Sequence, residues 1–442
     1  MLVPELKRSS RSRPEQENGT TRAAAPLHSP KDRLSEAGGL AEAIDLVVVQ
    51  KLLVPVPAPR PATLFGTGKV ESLKSLIAAH DIALVIIDHP VSAIQQRNLE
   101  RAWNAKVLDR TGLILEIFGR RARTREGRLQ VELAHLSYQK SRLVRSWTHL
   151  ERQRGGYGFL GGPGEAQIEL DRRMIDERII AIRKDLEVVV RTRDLHREGR
   201  RRVPYPVVAI VGYTNAGKST LFNRITGADV LAKQQVFATL DPTMREVRLK
   251  SGRRIILSDT VGFISDLPTM LVAAFRATLE EVIEADLVLH VRDIAHDETD
   301  NQARDVEAVL AELGIDTLPA DSHILEVWNK IDLLSPVTRA EAMSAAQWVE
   351  RKPALASAAT GEGIDALLEA IDARLGRADE IVELLIPAHE GRLVNWLYEE
   401  SEVLGREDLP TGEVKARVRI AAEKKERLNA QVRRAGAALT AL

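Results

Sequence analysis

One segment constrains this chain more than any other: an apolar strand that runs straight into a glycine-flanked loop. Val207-Val-Ala-Ile-Val211 is followed by Gly212-Tyr213-Thr214-Asn215-Ala216-Gly217-Lys218-Ser219-Thr220. The spacing is G-x-x-x-x-G-K-[ST], and the residues after it, to Ile225, have helical spacing. The glycines let successive backbone N–H groups curl into a concavity that accepts phosphate oxygens. The helix start adds unpaired donors and the positive end of its dipole. Lys218 supplies a point charge for the β- and γ-phosphates, and Ser219 a hydroxyl for Mg²⁺. From Val207 to about Gly376 strands and helices alternate, which predicts a parallel sheet with right-handed crossovers.

Three further segments follow in an order that suits the same chemistry. Asp259-Thr260-Val261-Gly262 closes a strand at Arg254–Leu257; Asp259 can orient Mg²⁺ through water, and the Gly262 N–H can meet the γ-phosphate. Between the loop and this segment lies Phe237-Ala238-Thr239-Leu240-Asp241-Pro242-Thr243. A threonine here gives Mg²⁺ a second hydroxyl only while the γ-phosphate is present, so the segment orders and loosens with nucleotide state. Thr239 is the first candidate and Thr243 the second. Downstream, Leu325–Trp328 ends in Asn329-Lys330-Ile331-Asp332. A carboxylate at Asp332 accepts two hydrogen bonds from the N1–H and exocyclic amine of guanine. Adenine offers no such donor pair and leaves the acid unpaired, so the tetrapeptide selects GTP over ATP. Asn329 is expected at the base N7 and the Lys330 stem over its face. Backbone N–H groups of Ser357-Ala358, with Ala359 next, are expected at O6. Many GTPases place a water-orienting glutamine directly after D-x-x-G; here that position is Phe263, which cannot hydrogen-bond water, so intrinsic hydrolysis is expected to be slow.

The rest of the chain divides by composition into five stretches. Residues 1–42 carry arginines and serines with little apolar patterning and are expected to be a disordered tail. Residues 43–119 read as an α/β domain. It has strands at Ile44–Val49 and Ala83–Ile87, helices at Val70–His80 and Pro90–Trp103, and Val107–Phe118 as strand, turn, strand. Gly66-Thr-Gly68-Lys69 lacks both a leading glycine and a following hydroxyl, so it reads as a strand-to-helix turn. Residues 120–202 read as two long helices and hold 21 Lys/Arg against 12 Asp/Glu, a net of +9 in a chain whose 63 basic and 63 acidic residues otherwise cancel. Six glycines fall in the ten residues Gly155–Gly164 between those helices. Residues 203–377 are the nucleotide domain. Residues 378–442 form a small α+β unit, with strands at Ile381–Ile386 and Val414–Ile420, a helix at Gly391–Leu404, and a tail from Ala421 that is helical or frayed. The chain has no cysteine, which excludes disulfides, thiolate metal sites and a cysteine nucleophile. No apolar run approaches about 18 residues, so no membrane-spanning segment is expected. With no secretory leader, the expected location is the cytoplasm, the inner face of the membrane being the alternative.

Taken together, the glycine loop, Phe237–Thr243, Asp259-Thr-Val-Gly-Phe263 and Asn329–Asp332 resemble the HflX family of translation-factor-related GTPases. So do Val107-Leu-Asp109-Arg110-Thr-Gly-Leu-Ile-Leu-Glu-Ile-Phe118, Leu129-Gln-Val-Glu-Leu133, Gly156–Glu165 and Asp171-Arg172-Arg173. The resemblance runs from about residue 43 to 377. Two departures are mild: Gly164-Glu-Ala166-Gln167 where the family has GETQ, and Ser357-Ala358-Ala359 where it often has SAR. The resemblance implies an N-terminal α/β domain, a helical hairpin, a P-loop GTPase domain and a small C-terminal domain. It implies GTP hydrolysis with Mg²⁺, binding of the large ribosomal subunit, ribosomal RNA contacts through residues 120–202, and splitting of stalled ribosomes under stress. The basic helices suit RNA phosphates by themselves. Nothing calls for more than a monomer. Two other readings remain open at this point: a GTP-gated switch for a protein partner, and an RNA-remodelling ATPase.

Overall fold

The computed structural model describes residues 1–6, 28–153, 163–201, 205–228, 237, 243–265, 276–315, 323–349, 351–376, 379–421 and 424–441. They fall into two compact units. The first holds residues 1–187 with 233–241 and 265–277; the second holds 188–232, 242–264 and 278–442. The expected disorder of residues 7–27 and the glycine run from Gly155 to Gly162 lie outside the described residues.

In the first unit, four parallel strands stand in the order β2-β1-β3-β4: β1 Leu2–Leu6, β2 Leu52–Val56, β3 Leu84–Ile87 and β4 Lys106–Asp109. Helices α1 (Pro30–Glu42), α2 (Thr67–Ala79), α3 (Ala93–Trp103) and α4 (Arg110–Arg121) connect and follow them. The core packs Leu2, Val54, Val56, Leu73, Ile77, Val85, Ile87, Leu99, Trp103 and Val107. Three expectations are corrected here. The start of the chain is not a tail: Leu2–Leu6 is an inner strand paired with both β2 and β3, and Pro30–Glu42 is a helix capped by Ser29. Five residues carry too little pattern to reveal a strand whose partners lie up to 85 residues away. Ile44–Val49 joins no ladder, and its Val47 is 90% exposed; the strand is Leu52–Val56, which takes the place beside β1.

The third correction concerns Val107–Phe118. The strand ends at Asp109, and a helix begins at once. The Asp109 carboxylate accepts from the Gly112 N–H at 2.8 Å and so caps that helix. Leu113, Ile114, Leu115, Ile117 and Phe118 are all buried, so α4 is apolar around most of its circumference. Such a run has no helical stripe and cannot be told from a buried strand by periodicity. The same carboxylate also accepts from the Val91 N–H at 3.3 Å, the Tyr138 hydroxyl at 2.5 Å and Arg142 at 2.6 Å. Tyr138 and Arg142 lie on α5 (Arg125–Gln153), which pairs with α6 (Pro163–Arg201). Val131, Ala134, Ile179 and Ile182 are buried along the pair, and Arg178 grips Glu132 through two bonds of 2.8 and 3.0 Å. Burial and the charge of Asp109 push the Tyr138 phenol well above its ordinary range.

The second unit contains a six-stranded sheet. Its strands are β5 Val207–Gly212, β6 Thr243–Arg248, β7 Arg254–Asp259, β8 Leu287–Asp293, β9 Ile324–Asn329 and β10 Ala354–Leu355. The order is β10-β9-β8-β5-β7-β6, parallel except for β6 against β7. Helix α7 (Lys218–Thr226) follows β5; α8 (Arg276–Ile283), α9 (Thr299–Glu312), α10 (Pro336–Trp348) and α11 (Ile364–Gly376) come later in the chain. One face of the sheet packs Leu287, Leu289 and Val291 against Leu221 and Phe222 of α7 and Leu367 and Ile371 of α11. Beyond it, an antiparallel sheet runs β12-β13-β11-β14, made of β11 Asp379–Ile386, β12 Glu402–Asp408, β13 Val414–Ala421 and β14 Ala438–Ala441. Helices α12 (Gly391–Glu400) and α13 (Lys425–Ala435) cover it with Leu393, Leu397, Leu428 and Val432. The helix expected to reach Leu404 therefore stops at Glu400, and the tail is a helix followed by a strand. Arg253 joins Asp372 at 2.9 Å, and Arg419 reaches both Glu402 at 2.7 Å and the Ser251 carbonyl at 3.3 Å. Among the described residues no helix is long and apolar enough to cross a membrane.

His290 sits in β8 opposite Val211 on one side and Glu326 on the other, 2% exposed. Burial pushes its imidazole down to about 4; the Arg292, Arg351 and Lys218 charges add to this, and Glu326 opposes it. Below the ordinary histidine value of 6.5 an unfolded chain therefore takes up a proton that the folded chain refuses until about pH 4. The unfolding free energy in urea is expected to fall by about 2 kcal/mol between pH 7.5 and pH 5 from this residue. A His290→Gln variant should lack that share of the decline, and an identical slope in the variant would refute the assignment.

Candidate functional site

The site grows from the carboxyl ends of β5, β7 and β9, where open parallel sheets leave a crevice for ligands. The backbone leaves β5 at Gly212 and turns through Gly217, whose φ of +94° belongs to the left-handed region. A Cβ at Gly217 would lie 2.3 Å from the Asn329 amide nitrogen, so both conformation and space demand glycine. Lys218 opens α7 and is 7% exposed. Its ammonium stays inside the loop, donating to the carbonyls of Gly212 at 3.1 Å and Tyr213 at 2.8 Å. Burial lowers its pKa to about 8, and Lys330 adds to this while Asp259 opposes it. A phosphate anion here would restore the ordinary ammonium range, so the loop is poised for negative charge.

Asp259 ends β7 with its carboxylate accepting from the Ser219 hydroxyl at 2.7 Å. A hydroxyl and a carboxylate thus share one point at the mouth of the loop, hard oxygen donors of the kind Mg²⁺ takes. The Thr260 hydroxyl donates to the Ile210 carbonyl at 2.6 Å, tying this turn to β5. A Cβ at Gly262 would meet Lys218 Nζ at 3.0 Å, which places this backbone beside the ammonium. Phe263 forms a parallel bridge with Tyr213: its N–H donates to the Gly212 carbonyl at 3.1 Å, and its carbonyl accepts from the Thr214 N–H at 2.7 Å. Its ring is 1% exposed, so it serves the core.

At the other end, β9 finishes at Asn329, and Lys330 turns with φ +66°. Asn329 is 1% exposed. Its amide nitrogen donates to the Ala216 carbonyl at 2.8 Å, and its amide oxygen accepts from the Ala358 N–H at 2.9 Å. One side chain thus braces the phosphate loop against the loop after β10. Lys330 pairs with Asp293 at 2.7 Å, which steadies its stem. Ile331 is buried and Asp332 exposed in the short turn that follows. One expectation is corrected. The N–H of Ser357 donates to the Glu362 carbonyl at 2.8 Å and that of Ala358 to Asn329, so neither is directed at a ligand. Neither of these two bonds uses the Ala359 N–H. Arg224 of α7 holds the loop from below, bonding the carbonyls of Ala358 at 3.1 Å and Ala359. Arg224 and Asp293 escaped the sequence reading because each works through a partner more than thirty residues away.

The structure brings together Gly212 to Thr220, Asp259 to Gly262, Asn329 to Asp332 and Ser357 to Ala359 within one unit. Thr243, the second switch candidate, opens β6 and pairs with Asp259 in the antiparallel ladder. Ala238, Thr239, Leu240 and Asp241 lie outside the described residues. Phe237 is described, belongs to the first unit and is 2% exposed.

Four family models match the chain. They are a GTP-binding GTPase N-terminal region at residues 31–119, a GTP-binding GTPase middle region at 121–200, a 50S ribosome-binding GTPase domain at 207–330 and an HflX C-terminal domain at 344–439. The chain is 51% identical over 372 residues to the GTPase HflX of Magnetococcus marinus, covering 84% of this chain and 83% of that one. It is 43% identical over 406 residues to that of Caldanaerobacter subterraneus, covering 91% of each. The Escherichia coli GTPase HflX is 45% identical over 372 residues, with 83% and 84% covered. With its phosphate loop, D-x-x-G turn and N-K-x-D turn at the carboxyl ends of strands of one sheet, the chain belongs to the HflX family of GTPases.

Proposed function

We propose that this GTPase acts on the large ribosomal subunit, separates stalled ribosomes in its GTP state and leaves on hydrolysis. The observation that carries the nucleotide part is the convergence of Lys218, the Ser219–Asp259 pair and the Gly262 backbone at one point. GTP lies with its phosphates in the Gly212–Thr220 loop, and its base is held by Asp332, the Lys330 stem and Ala359. Asn329 acts chiefly by bracing the loops around the base. Ser219 and Thr239 would hold Mg²⁺, with Asp259 reaching it through water, and the ion would supply charge neutralisation at the β- and γ-phosphates. Phe237–Asp241 and Asp259–Gly262 order when the γ-phosphate is present and relax when it leaves.

The 50S ribosome-binding description of the matched nucleotide domain and the net +9 of residues 120–202 support the ribosomal half of the reading. Arg172, Arg183 and Lys184 are exposed along α6 and suit rRNA phosphates. Arg120 and Arg121 serve structure in part, donating to the Ile44 carbonyl at 2.7 Å and the Ala43 carbonyl at 3.3 Å. They are therefore poor choices for testing RNA contact. The protein works as a monomer in the cytoplasm.

Asp332→Asn should weaken GTP binding about a hundredfold or more, because it replaces the acceptor of two guanine donors with an amide. Xanthosine triphosphate, which carries an oxygen where guanine has its amine, should recover much of the loss. Equal GTP affinity in the variant would remove the guanine assignment. GTP hydrolysis measured with and without large ribosomal subunits, at two salt concentrations, tests the partner. Strong stimulation that falls with salt is expected, and Arg172→Glu with Arg183→Glu and Lys184→Glu should flatten the salt dependence without changing GTP affinity. No stimulation and no co-sedimentation would turn the reading towards a switch for a protein partner.

A further inference from the structure

Two arginines of the second unit grip the loop after β10, and they grip it differently. Within that loop the Ser357 N–H donates to the Glu362 carbonyl and the Gly361 N–H to the Ser357 carbonyl, both at 2.8 Å. The Thr360 N–H donates to the Ser357 hydroxyl at 3.1 Å, and the Glu362 N–H to the Thr360 hydroxyl at 3.3 Å. The Ala358 N–H goes to the Asn329 amide oxygen at 2.9 Å. From Ser357 to Glu362, only the Ala359 N–H stands outside these bonds. Arg339 of α10 meets the Glu362 side chain in a pair that is 37% and 46% exposed. Arg224, in the last turn of α7, meets the backbone instead. Its Nε donates to the Ala358 carbonyl at 3.1 Å and its Nη2 to the Ala359 carbonyl. All of these residues belong to the second unit.

We propose that Arg224 is a positioning residue for guanine recognition, turning the Ala359 amide so that its N–H is kept for O6 of the base. A trans peptide points its C=O and N–H in opposite directions, and no peptide bond among the described residues is cis. With the Ala358 carbonyl turned to Arg224, the Ala359 N–H therefore points away from Arg224. The next peptide is fixed at both ends, its carbonyl by Arg224 and its N–H by Ser357. Nε and Nη2 lie on one edge of a planar group, so the two carbonyls are held at a set angle; a lysine ammonium has no such fork. Asn329 holds the preceding N–H and also the Ala216 carbonyl of the glycine loop. The direction of the Ala359 N–H is thus set by groups that also frame the phosphate loop. Arg224 is exposed, so its bonds add little to folding stability, and direction is what they supply. Direction matters for specificity: guanine O6 accepts from an N–H, whereas adenine carries an amine at that position and sets donor against donor.

This role rests on the guanine assignment of Asn329–Asp332, and the test keeps the two apart. In the full-length protein, affinities and dissociation rates are measured for GDP and for the diphosphate of 2-aminopurine riboside. The second nucleotide keeps the ribose, the phosphates and the exocyclic amine but lacks O6 and the N1 proton. Arg224→Ala is expected to raise the Kd and the dissociation rate of GDP about fivefold or more, the size of one neutral hydrogen bond, while the 2-aminopurine nucleotide stays within about twofold. Arg224→Lys should recover only part of the GDP affinity. Arg339→Ala, which removes an exposed ion pair from the same loop, should leave both nucleotides within about twofold. Equal losses for the two nucleotides in Arg224→Ala would overturn the proposal, because Arg224 would then serve packing alone. So would unchanged GDP binding in that variant, or the same selective loss in Arg339→Ala. Should Arg224→Ala fail to fold, Arg224→Gln carries the same comparison. Asp332→Asn supplies the control. If it leaves GDP affinity intact, the guanine assignment fails and the inference with it; if it weakens GDP binding while the Arg224 variants do not, only the inference fails.

Discussion

The nucleotide end of the second unit depends on one carboxamide. Asn329 donates to the phosphate loop at Ala216 and accepts from the loop after β10 at Ala358. A buried amide with both ends satisfied is strongly directional, because either bond lost leaves a desolvated polar group. Gly217 has no side chain because the Asn329 amide passes where a Cβ would stand. Arg224 completes the arrangement from α7, which itself begins at the phosphate loop. The glycine loop and the loop after β10 are therefore one mechanical assembly, although the residues span almost 150 positions in the chain.

The first unit has a comparable centre in Asp109. Its carboxylate caps α4, orients the turn before α3 at Val91 and receives Tyr138 and Arg142 from α5. Four donors on two oxygens fix the angles between three helices and a strand end. Arg110, the next residue, uses its own charge in the opposite sense and gathers Glu36, Asp88 and Ser265. Neighbouring residues of opposite sign thus tie one helix to the hairpin on one side and to Glu36, Asp88 and Ser265 on the other. The unit's apolar core alone would not specify those directions, since hydrophobic contact has no preferred angle.

Much of the site could be read from the sequence because its residues lie next to each other in the chain. A strand followed by G-x-x-x-x-G-K-S, and a strand followed by N-K-I-D, each carry their geometry within about ten residues. The errors arose where a partner was distant or a pattern was absent. Ser357 and Ala358 were expected to face O6, yet their N–H groups are taken by Glu362 and Asn329. Leu2–Leu6 is too short to show a period, and its place in the sheet comes from β2 and β3. The apolar run after Asp109 suggested a strand because a helix buried on nearly every side leaves no polar face to mark its turn.

By itself the sequence determined the class of chemistry: phosphate loop, D-x-x-G, N-K-x-D, the basic pair of long helices and the absence of a glutamine at Phe263. These are local signals, and local backbone conformation follows from glycine positions, caps and apolar spacing. Tertiary structure alone decided which donors remain for a ligand, how Lys218 is buried beside Asp259, and that Arg110 and Phe118 of one helix reach Ser265 and Phe237. The physical reason is that burial and hydrogen-bond satisfaction belong to pairs of groups, and a pair distant in the chain exists only once the chain has folded.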